Sequence, residues 1–173
     1  VLATLARYLN AQIGVMQRLE RGALVPAGTF GVDPQVVLAG QGSPGSNLAG
    51  EVARSGESII VRDLPDHYVR VQSMMGETAP RHLVIVPITA DKRPLGVLEL
   101  GFVNRDARLE DKREFLELVG ETVGVAIRAA AYREHLKALL EQTQRQSEEM
   151  QVQQEELRVS NEELEEQGRA LRE

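Results

Sequence analysis

The chain has 173 residues, 42% of them hydrophobic, which suffices for one ordinary domain with a core and something additional. Its formal charge of −6 sits at the end: from Leu136 to Glu173 ten acidic side chains stand against five basic ones, a balance of −5 that leaves the body near neutral. A neutral body with an acidic tail has no electrostatic footprint for nucleic acid, and the absence of cysteine excludes disulfides, thiolate metal sites, a cysteine nucleophile and a thioether-linked chromophore.

In chain order, VLATLARYL places Leu2, Leu5, Ala6 and Leu9 at helical spacing, the signature of an amphipathic helix over residues 1–9. AQIGVMQRLE, ALVPAGTFGV and QVVLAG follow, each bounded by Gly, Pro or Asp. They read as three strands of an antiparallel meander. GQGSPGS is turn chemistry, after which Ser46 or Asn47 caps a short helix LAGEVARSG that stops at Gly56. SIIVRDLP reads as a brief strand ending in a loop at Asp63. Residues 65–81 are irregular and are expected to form loop and short helical turns.

HLVIVPITADKRPLGVLELGFVN is the strongest strand pair, two apolar runs around Asp91-Lys92-Arg93-Pro94. Pro87 inside the first run lacks a ladder donor and marks a bulge or an edge. From Glu110 a helix begins with nothing to stop it before Glu173, since all seven prolines and fourteen of the fifteen glycines lie before residue 125. Its first part carries Phe115, Leu116, Val119, Val123, Ala126, Ile127 and Ala130 as a wide apolar face. Beyond that the face narrows to a stripe spaced by sevens, Leu136, Thr143, Met150, Leu157, Leu164 and Leu171. Leu140, Ser147, Gln154, Asn161 and Gly168 fill the alternate seam.

A single stripe over five heptads calls for a cover. The flanking positions are mostly Gln, with few charges to select a foreign partner, so a parallel homodimer is the simplest one, with Leu136, Leu140, Met150, Leu157, Asn161, Leu164 and Leu171 as its contacts. The alternative is a solvated single helix. No run of about 18 apolar residues and no basic-then-apolar leader is present, so the chain reads as cytoplasmic without direct membrane contact. Because it starts at Val1 and stops at Glu173 within a repeat, it reads as a piece of a longer protein.

The order helix, strands, GSNLAGEVARSGESIIVRDLP, irregular loop, HLVIVPITADKRPLGVLELGF and terminal helix resembles a GAF domain over roughly residues 1–132. The likeness is carried by Gly50, the Gly56 turn, Asp63, Pro87 and the strand Gly96-Val97-Leu98-Glu99-Leu100. The resemblance implies an α+β fold: a six-stranded antiparallel sheet flanked by helices, with a small-molecule pocket under the loop between the fourth and fifth strands. Residues 133–173 are similar to the coiled-coil linker that joins GAF domains to the kinase of bacterial hybrid sensor histidine kinases. That likeness implies a two-component, phosphorelay-type parent with a downstream kinase domain as the partner of this segment. Related heptads lead to cyclases and transcription activators, and a GAF scaffold that only dimerises is a further reading.

Asp63, His67, Tyr68, Arg70, Met74, Arg81 and His82 are the candidate ligand-binding residues, because an irregular segment facing a sheet presents polar groups around an apolar cavity. Each also has a plain reading as a surface or capping residue, Asp63 above all, since an Asp after a strand caps the next turn. No metal site and no cofactor is predicted, only an unidentified small ligand. The cyclic-nucleotide-binding members carry an Asn-Lys pair followed by Phe and Asp-Glu. Here Asn104-Arg105 is followed by Leu109 and no such acidic pair. No nucleophile–base arrangement, catalytic carboxylate pair or phosphate loop is found, so the segment is not expected to be an enzyme.

Overall fold

The structure is a computed structural model describing residues 1–39, 47–65, 71–73, 76–104 and 108–170, with backbone alone at 36, 38, 39, 71–73, 76–78 and 163–170. The elements run α1 (Leu2–Tyr8), β1 (Ile13–Glu20), β2 (Ala23–Phe30), α2 (Pro34–Ala39), α3 (Leu48–Ser55), β3 (Ile59–Val61), β4 (Val71–Ser73), β5 (Gly76–Thr78), β6 (His82–Ala90), β7 (Arg93–Phe102) and α4 (Leu109–Ala170). The main sheet has the order β2-β1-β7-β6-β3 and is antiparallel throughout. The α+β expectation holds, but this sheet has five strands rather than six.

Two local causes account for the difference. QVVLAG is not a strand but α2, because Pro34 supplies a preset first helical residue and the Asp33 carboxylate accepts from the Gln35 N–H at 2.8 Å. Residues 71–73 and 76–78 pair only with each other, as a separate two-stranded ribbon where short helical turns were expected. The hairpins follow their turns: Arg21-Gly22 and Asp91-Lys92 all have positive φ, the twist that suits two-residue connections. Asn47 caps α3, its Oδ1 accepting from Gly50 N–H at 2.7 Å, and Ser46 lies outside the described residues. Gly56, at φ 72°, closes the helix with an N–H bond to Val52 O.

Alternation on β6 and β7 makes both faces of the sheet apolar. Val84, Val86, Ile88, Leu98, Leu100 and Phe102 face α1 and the start of α4, whereas Leu83, Ile85 and Val97 face α3 through Ala49, Val52 and Ala53. Lys112 ties the first layer together, donating to Leu9 O at 2.8 Å with its ammonium 4.0 Å above the Phe102 ring.

Of the apolar face expected on α4, Leu116, Val119, Val123 and Ile127 do pack on the sheet. Phe115 and Ala126 are exposed, and Gly120 and Gly124 take the contact instead. A Cβ on Gly120 would lie 2.5 Å from the Pro87 carbonyl oxygen. Pro87 lies past the reach of β3, which pairs only with Leu83–Ile85, so its missing donor belongs to the outer edge of β6.

The chain divides into two units, Val1–Arg128 and Ala129–Glu173. The second is helical as far as Ala170, with Leu136, Leu140, Met150, Leu157 and Asn161 exposed. The side chain of Leu164, and Leu171 altogether, lie outside the described residues. Arg158 pairs with Glu155 and Glu162, each at 2.7 Å, one turn away on either side. No helix among the described residues is long and apolar enough to cross a membrane.

Candidate functional site

The α3 face of the sheet carries two polar side chains among its apolar ones. Gln17, on β1, stands across from Val97 and is 7% exposed. Glu99, on β7, stands across from Val15 on one side and Ile85 on the other. Since Leu98 and Leu100 on either side of it belong to the α4 face, alternation turns Glu99 toward the α3 face with Val97. The Glu99 carboxyl is half-buried and has no hydrogen-bond or ion-pair partner among the described residues. Burial alone pushes it up to about 7, because the low-dielectric surroundings disfavour its charged form.

One edge of this face is closed by the ends of the segment between β3 and β6. Leu64 N–H donates to Arg81 O at 2.8 Å, and Arg81 N–H donates to Phe102 O at 2.8 Å. Asp63, at φ 52°, donates its backbone N–H to His82 Nδ1 at 3.3 Å. His82 is 5% exposed, and its Nε2 is buried without a partner among the described residues.

Asp63, Arg81 and His82 are therefore brought together at the base of the segment, through backbone bonds and one imidazole rather than through three converging side chains. The Asp63 carboxylate itself is exposed. His67, Tyr68, Arg70 and Met74 lie outside the described residues. Glu99 and Gln17 escaped the sequence reading, although the alternation in Gly96-Val97-Leu98-Glu99-Leu100 was the available signal: a Glu inside a strand with two apolar faces has no solvated side to turn to.

A second concavity, of about 830 Å³, lies between Ser58 after α3, Pro87 and Thr89 on β6, and Arg113, Glu117 and Glu121 on α4. Its charges are mixed, Glu57, Glu117 and Glu121 against Lys92 and Arg113, with Arg113 Nε 3.7 Å from Glu117. No group of three His, Asp or Glu among the described residues is placed to hold a metal ion.

Comparison with known proteins gives the same architecture. The chain resembles the GAF domain of a phosphoenolpyruvate-protein phosphotransferase from Coxiella burnetii, with a TM-score of 0.62, 20% identity, and 76% of this chain and 80% of that one covered. The second GAF domain of DevS from Mycobacterium smegmatis gives a TM-score of 0.59 at 19% identity, covering 78% and 93%. A domain of a protein described as a two-component sensor histidine kinase from Sinorhizobium meliloti 1021 gives 0.54 at 15%, covering 74% and 85%. At such identities these likenesses speak for the fold alone. No curated protein matches the chain. The model of the GAF domain family matches residues 1–128, the whole of the first unit and the greater part of the sequence, and the chain belongs to that family.

Proposed function

We propose that this GAF domain is the sensory input of a cytoplasmic multidomain signalling protein, a sensor histidine kinase, and that it binds a small ligand on the α3 face of its sheet. The observation that carries the reading is Glu99. A fold has no structural need for a carboxyl that finds no partner among the described residues of an apolar sheet face, and such groups with shifted protonation cluster where something is bound. The ligand acts by favouring one arrangement of the Asp63–His82 base and the segment it closes over another.

Strand β6 links the two ends of this mechanism. It presents Ile85 to the α3 face, while its Pro87 and Thr89 carbonyls abut Gly120 and Gly124 of α4. A shift in β6 is thereby felt by α4 without passing through flexible side chains. The tail of α4 forms a parallel homodimer through Leu136, Leu140, Met150, Leu157, Asn161, Leu164 and Leu171 and hands the change to the downstream kinase domain. The similarity of residues 133–173 to kinase linkers supports this context.

A second reading, a scaffold GAF domain that binds nothing, is favoured by one observation: Leu83 is wholly buried in the same face, so the protein's own side chains already fill part of it. A thermal-shift screen of nucleotides, haem and small metabolites at pH 6 and pH 8, on the wild type and Glu99→Gln, separates the two. A compound that stabilises the wild type and loses its effect in the variant supports the sensor. Uniform silence favours the scaffold.

A further inference from the structure

The α3 face of the sheet is not covered evenly. The strand registers set Thr29 of β2, Val15 of β1, Glu99 of β7 and Ile85 of β6 side by side in one row, and residues directly opposite one another share a face. Ile85 is wholly buried in the cluster under α3, whereas Glu99, Val15 and Thr29 are all half-buried. From β7 outward the row is thus a strip with a carboxyl at one end, a branched apolar side chain in the middle and a hydroxyl at the other end. Strands lie about 4.8 Å apart, so the two polar ends are about 10 Å from each other, the span of one substituted ring. The Gln17 carboxamide stands in the next row, diagonal to Glu99.

The strip is one-sided in charge. Among the described residues no Lys, Arg or His side chain stands in this row. Arg18, next to Gln17, alternates to the other face, where its Nε donates to Glu20 at 2.7 Å, and Arg54 of α3 is held by Glu51 at 2.7 Å. An anionic guest would bring a second negative charge to Glu99 with nothing in the row to offset either. A wholly apolar guest would strip water from the carboxyl and leave it no partner. A cationic guest supplies both the counter-charge and the N–H donors that a carboxylate accepts.

We infer that the ligand of this face is an organic cation, a protonated amine or amidine on a body about one ring long, which sets its N–H donors on the Glu99 carboxylate, lays its apolar part over Val15 and turns its far end to Thr29. The inference rests on the ligand-site reading proposed above and names the class of ligand. It also fixes how binding depends on pH. In the free protein the carboxyl keeps its proton up to about pH 7, so a cation that pairs with the carboxylate must expel that proton at lower pH. The ionised fraction is roughly one-tenth at pH 6 and nine-tenths at pH 8, so the cation binds about tenfold more tightly at pH 8.

The probes are benzylamine, benzyl alcohol and benzoate, guests of nearly equal size that differ in charge, titrated to millimolar concentration against the full chain by ligand-observed NMR. Benzylamine stays charged from pH 6 to pH 8, so any pH dependence of its binding belongs to the protein. The expected result at pH 8 is that benzylamine binds at least about tenfold more tightly than either of the others, weakens about tenfold at pH 6, and loses at least about tenfold in affinity in Glu99→Gln. The pH series on the wild type reads the same pairing without any substitution. Benzyl alcohol or benzoate binding as tightly as benzylamine, with the binding lost in Glu99→Gln, overturns the cation and leaves the ligand site standing. Benzylamine binding that ignores both pH and Glu99→Gln lies elsewhere on the molecule and also overturns it. If none of the three binds, the cation inference falls, and the ligand-site reading is then decided by the wider thermal-shift screen.

Discussion

The carbonyl oxygen of Thr89 lies 2.0 Å from the point where a Cβ on Gly124 would sit, so α4 meets β6 backbone to backbone. The neighbour is main chain and cannot swing aside. Gly124→Ala gains up to about 1 kcal/mol of helix propensity but forces the helix off the sheet, uncovering Val119 and Val123, and overpacking of this kind costs about 1–3 kcal/mol. We expect a net loss of stability, read as a lower urea midpoint. Gly28→Ala is the control, since its nearest neighbour is the Leu2 side chain at 3.8 Å. Equal midpoints for the two variants would show that the close seating is unimportant.

Glu99 makes stability depend on pH in a direction that can be worked out. In the unfolded chain it ionises near its ordinary 4.5, and in the folded protein near 7, so between these values the folded state holds a proton that the unfolded state has lost. The contribution is present in full below pH 4.5 and is lost as pH rises through 7. The shift corresponds to roughly 2 kcal/mol after discounting for partial exposure. Glu99→Gln should match the wild type at pH 4.5 and exceed it at pH 8, measured as urea midpoints. Parallel pH profiles for the two proteins would remove the assignment of a buried carboxyl.

How far these features were legible in the sequence depends on whether the signal was local. Asn47 and Gly56 announce α3 because capping and left-handed closure need particular residue types at particular places. Pro87 announces an edge because it lacks a donor. QVVLAG misleads because four consecutive apolar residues fit strand and helix alike, and what decides is the Asp33-Pro34 start signal. The missing sixth strand and the β4–β5 ribbon depend on which strand finds which neighbour, a non-local choice. Gly120 and Gly124 were visible as a pair four apart, but what they approach is a tertiary fact. Of the candidate site, Asp63, Arg81 and His82 meet only through backbone bonds and the His82 imidazole, and the polar groups on the sheet floor are Glu99 and Gln17.

Asn47→Ala removes the acceptor that holds the first turn of α3, whose Gly50 N–H is part-buried. Losing an Asn cap costs about 1 kcal/mol, and since α3 covers Leu83, Ile85 and Val97, the cost should appear as a lower global unfolding midpoint rather than as local fraying. Asn47→Asp should retain the wild-type midpoint, because the carboxylate accepts the same bond and favours the helix N-terminus. If Asp and Ala are equally destabilising, the loss comes from something other than the cap.

In the tail, Gln154 and Asn161 stand at the alternate seam on either side of Leu157, which is 65% exposed. A polar side chain at such a position weakens a two-stranded coil while holding its register, since burying it unpaired is costly and pairing it with its copy fixes the alignment. Replacing both, Gln154→Leu with Asn161→Ile, should lower the dimer dissociation constant about tenfold or more in sedimentation equilibrium and relax the preference for two strands, so that trimers appear at high concentration. In the parent protein the same pair should hold the output in one state whether or not ligand is present. A tighter dimer with unaltered signalling would mean that the seam only spaces its neighbours. An unchanged dissociation constant would mean that Leu136 to Leu171 is not where the chains meet.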